Sequence, residues 1–225
     1  MSVLILMRHG QASFGEARYD VLSAVGREQA QATGRWLRER GEAPTSIAHG
    51  PRARQVETAA IVVEAAGFDS PPQLLSSLDE FAEGEEVLEA AAMLFGRPMS
   101  GPEAPPRSEQ LRCYDAAYEA WSRGTLEIPR RVAFAQFRRD VGQWLRESVA
   151  GPDAGGGQRV LAVTSGGVIA GVVCEALGLP DAQWCGLVRQ IRNASLTEIM
   201  FSRGRVGLRS FNSAAHLPVR LASTI

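Results

Sequence analysis

The sequence predicts an α/β fold, and two observations carry that prediction. The apolar run Val3-Leu4-Ile5-Leu6-Met7 stops at Arg8-His9-Gly10, which describes a buried strand whose carboxyl end opens into a polar pocket, with a loop and a helical stretch behind it. The same order returns late in the chain, where Arg159 to Thr164 reads as a second buried strand that leads through Ser165-Gly166-Gly167 into a helix ending near Gly178. With 225 residues and 45% hydrophobic content, the chain suits one domain, residues 1–225, carrying a helical cap insertion over about 85–150.

Each element has its own signal. After the first strand the loop from Gln11 to Leu22 is polar, and Ser23 stands at an N-cap position ahead of a helical stretch that closes at Arg40-Gly41. Ser46 to Ala48 fits another strand, and Pro51 in His49-Gly50-Pro51-Arg52 suits the first turn of the next helix. That helix carries Val56, Ala59, Ala60 and Val63 and stops at Gly67. The stretch from Ser70 to Leu78 leads into the acidic segment from Asp79 to Glu86, where carboxylates crowd a helix start and complement its dipole.

Pro98, Pro102, Pro105 and Pro106 break any helix between Arg97 and Arg107, which makes that segment a connector or lid with cap helices on either side. From Val132 onward, Phe134, Phe137, Val141, Trp144 and Leu145 recur at helical spacing and read as core packing against a sheet face. Gly151 to Gly157 is a flexible turn. Leu196 to Phe201 and Val206 to Phe211 flank Ser202-Arg203-Gly204-Arg205 as a hairpin. The chain shows neither internal repeats nor low-complexity segments.

Composition narrows the function classes. Lys and Arg total 24 against 25 Asp and Glu, so no overall bias favours nucleic acid or an anionic membrane, and any anion site must be local. The first residues lack a basic leader and cleavage site, and no apolar stretch reaches bilayer length, so a cytoplasmic location is expected. Cys113, Cys174 and Cys185 are odd in number and lack ligand-like spacing, which favours core thiols over a disulfide framework or a zinc site.

The chemistry centres on Arg8-His9-Gly10. An imidazole can attack phosphorus while an adjacent guanidinium fork holds two phosphate oxygens, and a glycine lets backbone approach the anion. The bland alternative is a strand-end histidine satisfied by a neighbouring carbonyl. Arg54-Gln55-Val56-Glu57-Thr58-Ala59, opening the helix after the second strand, adds a second fork. Together the strand, Arg-His-Gly, helix, strand and Arg-x-x-x-Thr-Ala resemble the histidine phosphatase superfamily in its phosphoglycerate mutase-like branch. Leu22-Ser23-x-x-Gly26-x-x-Gln29-Ala30 and Leu78-Asp79-Glu80 add to the resemblance, which runs from Val3 to about Glu80 and from Val160 to Leu217.

The resemblance implies a three-layer α/β/α fold with a mixed, mostly parallel sheet, and phosphate monoester hydrolysis through a phosphohistidine without metal or organic cofactor. By motif, His9 matches the nucleophile, Arg8 and Arg54 the phosphate clamp, and Glu80 the general acid. Glu83 is the rival acid, because Glu83-Gly84 also echoes relatives. Gly10, Gln11, Ser13 and Phe14 follow the nucleophile and either line the substrate entrance or shape the loop. Where relatives carry a second histidine the chain has Ser165, which either supplies part of that histidine's contact to phosphate beside Gly166 or caps the helix that follows. His49 and His216 are candidates to stand in for the missing imidazole, with structural roles as the alternative.

The expected partner is a small phosphorylated substrate; the sequence does not fix oligomeric state. The alternative functions are a weakly active or inactive phosphate-ligand-binding protein, motivated by Ser165, and a phosphoglycerate mutase, which would have to keep its phosphoenzyme from water.

Overall fold

In the computed structural model, which describes residues 1–13, 20–41, 43–150, 156–202 and 205–223, the strand Ser2–Arg8 (β1) lies inside a six-stranded sheet. Its neighbours are Arg159–Thr164 (β4), which runs parallel to it, and Leu196–Ser202 (β5), which runs antiparallel. Beyond β4 come Ser46–His49 (β2) and Gln73–Leu74 (β3), both parallel, and beyond β5 comes Arg205–Ser213 (β6), antiparallel. The order β3-β2-β4-β1-β5-β6 makes the sheet mixed and mostly parallel.

Side-chain alternation along β1 builds the layers. Ile5 and Met7 enter one core with Ala30, Leu37, Ala59 and Val62, residues of the helices Ala24–Glu39 (α1) and Ala53–Ala66 (α2). Leu4 and Leu6 enter the other core, beneath Gly166–Leu177 (α6) and Phe134–Ala150 (α5). A mostly parallel sheet covered on both faces explains why β1 and β4 read as continuous apolar runs. Gly84–Phe95 (α3) and Arg107–Ser122 (α4) follow the acidic segment, and the prolines between Phe95 and Arg107 separate the two helices. The short helix Trp184–Gln190 (α7) packs on α4 and α6.

Three local features differ from the sequence reading. Helix α2 begins at Ala53 rather than Pro51, because the Asp20 carboxylate accepts from the N–H groups of Ala53 at 2.9 Å and Arg54 at 3.2 Å and caps the helix from a distant loop. Strand β3 and helix α7 are elements the pattern does not announce. The expected turns at 151–157 and 202–205 lie partly outside the described residues, as does Phe14.

Because β1, β2 and β4 run parallel, their carboxyl ends gather at one edge of the sheet. That edge brings Arg8-His9, His49 and Thr164-Ser165 into one neighbourhood, where open α/β sheets place ligands. No described helix is long and apolar enough to cross a membrane.

Candidate active site

His9 is almost fully buried, at 4% exposure, and its main chain is fixed on both sides: its N–H donates to Thr164 and its carbonyl accepts from Ala194. Its Nδ1 lies 2.7 Å from the Gly10 carbonyl oxygen. A carbonyl only accepts, so Nδ1 carries the hydrogen and Nε2 keeps a lone pair. The Arg54 Nε–H donates to that lone pair at 3.3 Å. Burial, then the positive charges of Arg54 and Arg8, hold the imidazole well below the ordinary histidine pKa, so the ring is neutral near pH 7. The carbonyl that satisfies the histidine in the bland reading is the group that directs Nε2 toward the cavity.

The motif Arg54-x-x-x-Thr58 has a structural reason. Residues four apart share a helix face, so Arg54 and Thr58 both meet the loop after β1. The Thr58 hydroxyl donates to the Arg54 carbonyl at 2.6 Å and accepts from the Gly10 N–H at 3.1 Å, tying that loop to α2. The Arg54 guanidinium, 2% exposed, is held through Nη1 by Asp20 and Glu83, each at 2.8 Å. Glu83 is itself gripped by Arg52, which also pairs with Asp79. Arg8 donates to the Ile191 carbonyl, which anchors the other fork.

The two rival carboxylates occupy different environments. Glu83 sits between two guanidinium groups and at the N-cap of α3, where its own N–H donates to Glu86 at 2.8 Å. Glu80 lines the cavity, and its oxygens accept from the N–H groups of Phe81 at 3.0 Å and Gly167 at 3.2 Å. Desolvation pushes the Glu80 pKa up against these bonds and the Arg54 and Arg8 charges.

The segment carrying Glu80 is rigid. The Leu78 carbonyl accepts from Thr164 and Gln55, and Phe81 packs in an aromatic cluster with Trp121 at 4.8 Å and Trp184 at 5.4 Å between ring centroids. Aromatic pairs add about 0.5–1.5 kcal/mol each beyond burial, so the cluster is a firm anchor.

Arg8, His9, Arg54 and Glu80 converge on one cavity of about 310 Å3. Of Gly10, Gln11, Ser13, Ser165 and Gly166, the described positions expected near substrate, Gly166 alone is on its wall. The others are turned to the scaffold. Gly10 packs against Gly26, where a Cβ on Gly10 would stand 2.4 Å from the Gly26 carbonyl oxygen. Gln11 donates through its N–H to Gln29 and accepts from the Ser23 hydroxyl, while the Ser13 N–H donates to Val21.

Ser165 is fully buried, and its hydroxyl accepts from Gln55 Nε2 at 2.8 Å; its side chain makes no capping bond to α6. Ser165 thus stands at the N-cap position of α6 as expected, but its hydroxyl serves a contact to α2 instead of a capping bond. His49 donates to the Gly50 carbonyl at 2.8 Å and does not line this cavity. His216 does not line the cavity either: it is hydrogen-bonded to Thr33 at 3.0 Å and packed on Trp36 with ring centroids 5.1 Å apart, which is a packing role. Burial pushes its pKa down to about 4.

The other wall of the cavity was invisible in the sequence. Leu111, Tyr114, Asp115 and Tyr118 of α4 and Arg189 of α7 complete it. The i, i+3, i+4, i+7 spacing of the four α4 residues is a usable signal for a shared face, but α7 is too short to register. Among the described residues no group of three or more His, Cys, Asp or Glu side chains is arranged to hold a metal ion.

Solved structures share this architecture over nearly the whole chain. A phosphoserine phosphatase from Entamoeba histolytica, solved with phosphoserine, superposes with a TM-score of 0.67 at 21% identity, covering 97% of this chain and 100% of that one. A mycobacterial glucosyl-3-phosphoglycerate phosphatase gives 0.65 at 23% identity, covering 95% and 99%. The YhfR protein of Bacillus stearothermophilus gives 0.69 at 20% identity, covering 96% and 99%. No curated protein sequence matches the chain. The profile of the histidine phosphatase superfamily (branch 1) matches residues 4–92 and 99–214, so the chain belongs to that superfamily and with it to the phosphoric monoester hydrolases.

Proposed function

We propose that this protein hydrolyses a small phosphate monoester in two steps through a phosphohistidine on His9. His9 Nε2 attacks phosphorus and the ester P–O bond breaks, while Glu80 gives its proton to the departing oxygen. Glu80, now a carboxylate, takes a proton from water; the oxygen attacks phosphorus, the N–P bond breaks, and inorganic phosphate leaves with Glu80 protonated again. Arg8 and Arg54 hold the phosphoryl oxygens and neutralise the charge that grows in both transition states. The backbone of Gly166, at the start of α6, offers the positive end of a helix dipole to the same group.

The observation that carries this reading is the meeting of a neutral Nε2 with the Arg54 Nε at 3.3 Å in the cavity that Glu80 also lines. Removing the imidazole is the direct test. The wild type incubated with radiolabelled phosphate monoester and quenched in alkali, where phosphohistidine survives, is expected to retain label, and His9→Ala to retain none and to lose turnover. Turnover surviving in His9→Ala would remove the mechanism.

The same fold in enzymes named for phosphoserine and glucosyl-3-phosphoglycerate supports a small metabolite as substrate, and the segment over about 85–150 serves as the cap that shapes the leaving-group end. A second reading, a weakly active phosphate-binding protein, is favoured by Ser165: its fully buried hydroxyl does not line the cavity, so it adds no donor to the phosphoryl group. Losing one such donor typically costs about 100- to 1000-fold in turnover, which slows a hydrolase without abolishing it. Labelled protein that forms but scarcely turns over would select this reading.

A further inference from the structure

We propose that the leaving-group end of the cavity selects a phosphate monoester bearing an amino or ammonium group, with Asp115 as its acceptor. The inference rests on the placement of the phosphoryl group at His9, and it names what the other end of the same molecule carries.

Helix α4 turns Tyr114, Asp115 and Tyr118 to the cavity from one face. The two tyrosine rings stand 5.8 Å apart, edge to face, so the wall beside the Asp115 carboxylate is aromatic. A carboxylate flanked by ring faces is the chemistry that receives ammonium groups: the charge pairs with the carboxylate and is attracted by the ring quadrupoles.

Arg189, the cation on this wall among the described residues, divides its charge: it donates to Glu119 at 2.7 Å, lies 5.5 Å over the Tyr118 ring, and makes only a loose ion pair with Asp115, Nε to Oδ2 at 3.8 Å. Glu119 also pairs with the exposed Arg123 through its other oxygen. Asp115 keeps a half-exposed carboxylate that accepts from the Tyr118 hydroxyl and has room for further donors. Burial, with the nearby Glu119 charge adding, pushes its pKa up against Arg189 and the Tyr118 hydroxyl.

A volume of about 310 Å3 lies at the small end of ligand pockets, so beyond the phosphoryl group it suits a short chain or a single ring. The result is a site with anion recognition at the strand ends and cation recognition on α4.

The test uses three esters of similar size: ethanolamine phosphate, its neutral isostere propyl phosphate, and anionic phosphoglycolate. Binding is measured by calorimetry on the full-length His9→Ala protein, which leaves the esters intact, and KM values on the wild type give an independent ranking. Ethanolamine phosphate is expected to bind about tenfold tighter than propyl phosphate, and Asp115→Asn to bring that ratio close to one. Equal binding of the two, a ratio untouched by Asp115→Asn, or no binding of any ester overturns the proposal. Phosphoglycolate as the tightest ligand also overturns it and assigns the wall to Arg189. Hydrolysis of p-nitrophenyl phosphate is scored separately: its absence with the binding ratio intact removes the hydrolase reading and leaves this one standing.

Discussion

The two ends of the cavity are built on opposite principles. At the phosphoryl end, each side chain is fixed by at least one partner from another element: His9 by Gly10 and Arg54, Arg54 by Asp20 and Glu83, Glu80 by Phe81 and Gly167. His9 stands at a strand end, Arg54 in the first turn of a helix and Glu80 in the loop before α3, and burial shifts the protonation of His9 and Glu80. On the opposite wall, Asp115 and Arg189 are half-exposed, and α4 and α7 supply them from outside the sheet. The contrast teaches that the proposed reaction and the proposed selectivity are separable: the first is assigned to the sheet edge, the second to the added helices.

The strongest way to break that comparison is Glu80→Gln. An amide gives no proton, so turnover of an alkyl ester such as propyl phosphate is expected to fall on the order of 100- to 10,000-fold, while p-nitrophenyl phosphate, whose leaving group needs little protonation, loses far less. Equal losses on both esters would take the acid role away from Glu80. The pH profile sharpens the point. His9 acts only when neutral, and its pKa lies below the ordinary 6.5, so the acid limb falls on the low side. Glu80 acts only when protonated, and its pKa lies above the ordinary 4.5, so its ionisation sets the alkaline limb. That alkaline limb should vanish in Glu80→Gln.

A smaller effect comes from Gly167→Ala. A Cβ there would stand 2.2 Å from Glu80 Oε1 and 2.8 Å from Phe81 Cδ1, so the carboxyl must move while the arginine clamp stays. The expected result is a kcat lower by about ten- to a hundredfold with KM little changed, since displacement of a positioned group by about an ångström has that scale. A change confined to KM would show that Glu80 works in binding. Smallest of all is the roughly tenfold selectivity expected of Asp115, which should leave the ranking of chemistry at the sheet edge untouched.

Legibility follows the same division. Arg8-His9-Gly10 could be read from the strand that stops there, and Arg54-x-x-x-Thr58 from its resemblance to the family motif, whose spacing a single helix face holds together. Gln11 and Ser13 could not be placed that way. After His9 the chain turns back to bridge Ala12 with Leu22, which directs the polar groups of Gln11 to Ser23 and Gln29 on α1 rather than to the cavity. Ser165 meets Gln55 from 110 positions away, a pairing that no local pattern announces. What sets Glu80 and Glu83 apart is Arg52, whose grip on Glu83 exists only once the starts of α2 and α3 meet. Arg189 stayed hidden because seven residues of α7 complete two turns, too few for a period to emerge.

His216 gives the fold its own acid limit, separate from the reaction. In the unfolded chain this ring takes a proton below about pH 6.5, whereas inside the core it resists protonation until about pH 4. Between those values the unfolded state binds more protons, so the native state loses ground as pH falls, by about 3 kcal/mol once both transitions are passed. Thermal melts of the wild type should show Tm dropping from pH 6.5 toward pH 4, with a shallower drop in His216→Gln; identical slopes would place the acid sensitivity elsewhere. Acid thus acts on the scaffold as well as on His9, through a ring packed against Trp36 that lines no part of the cavity.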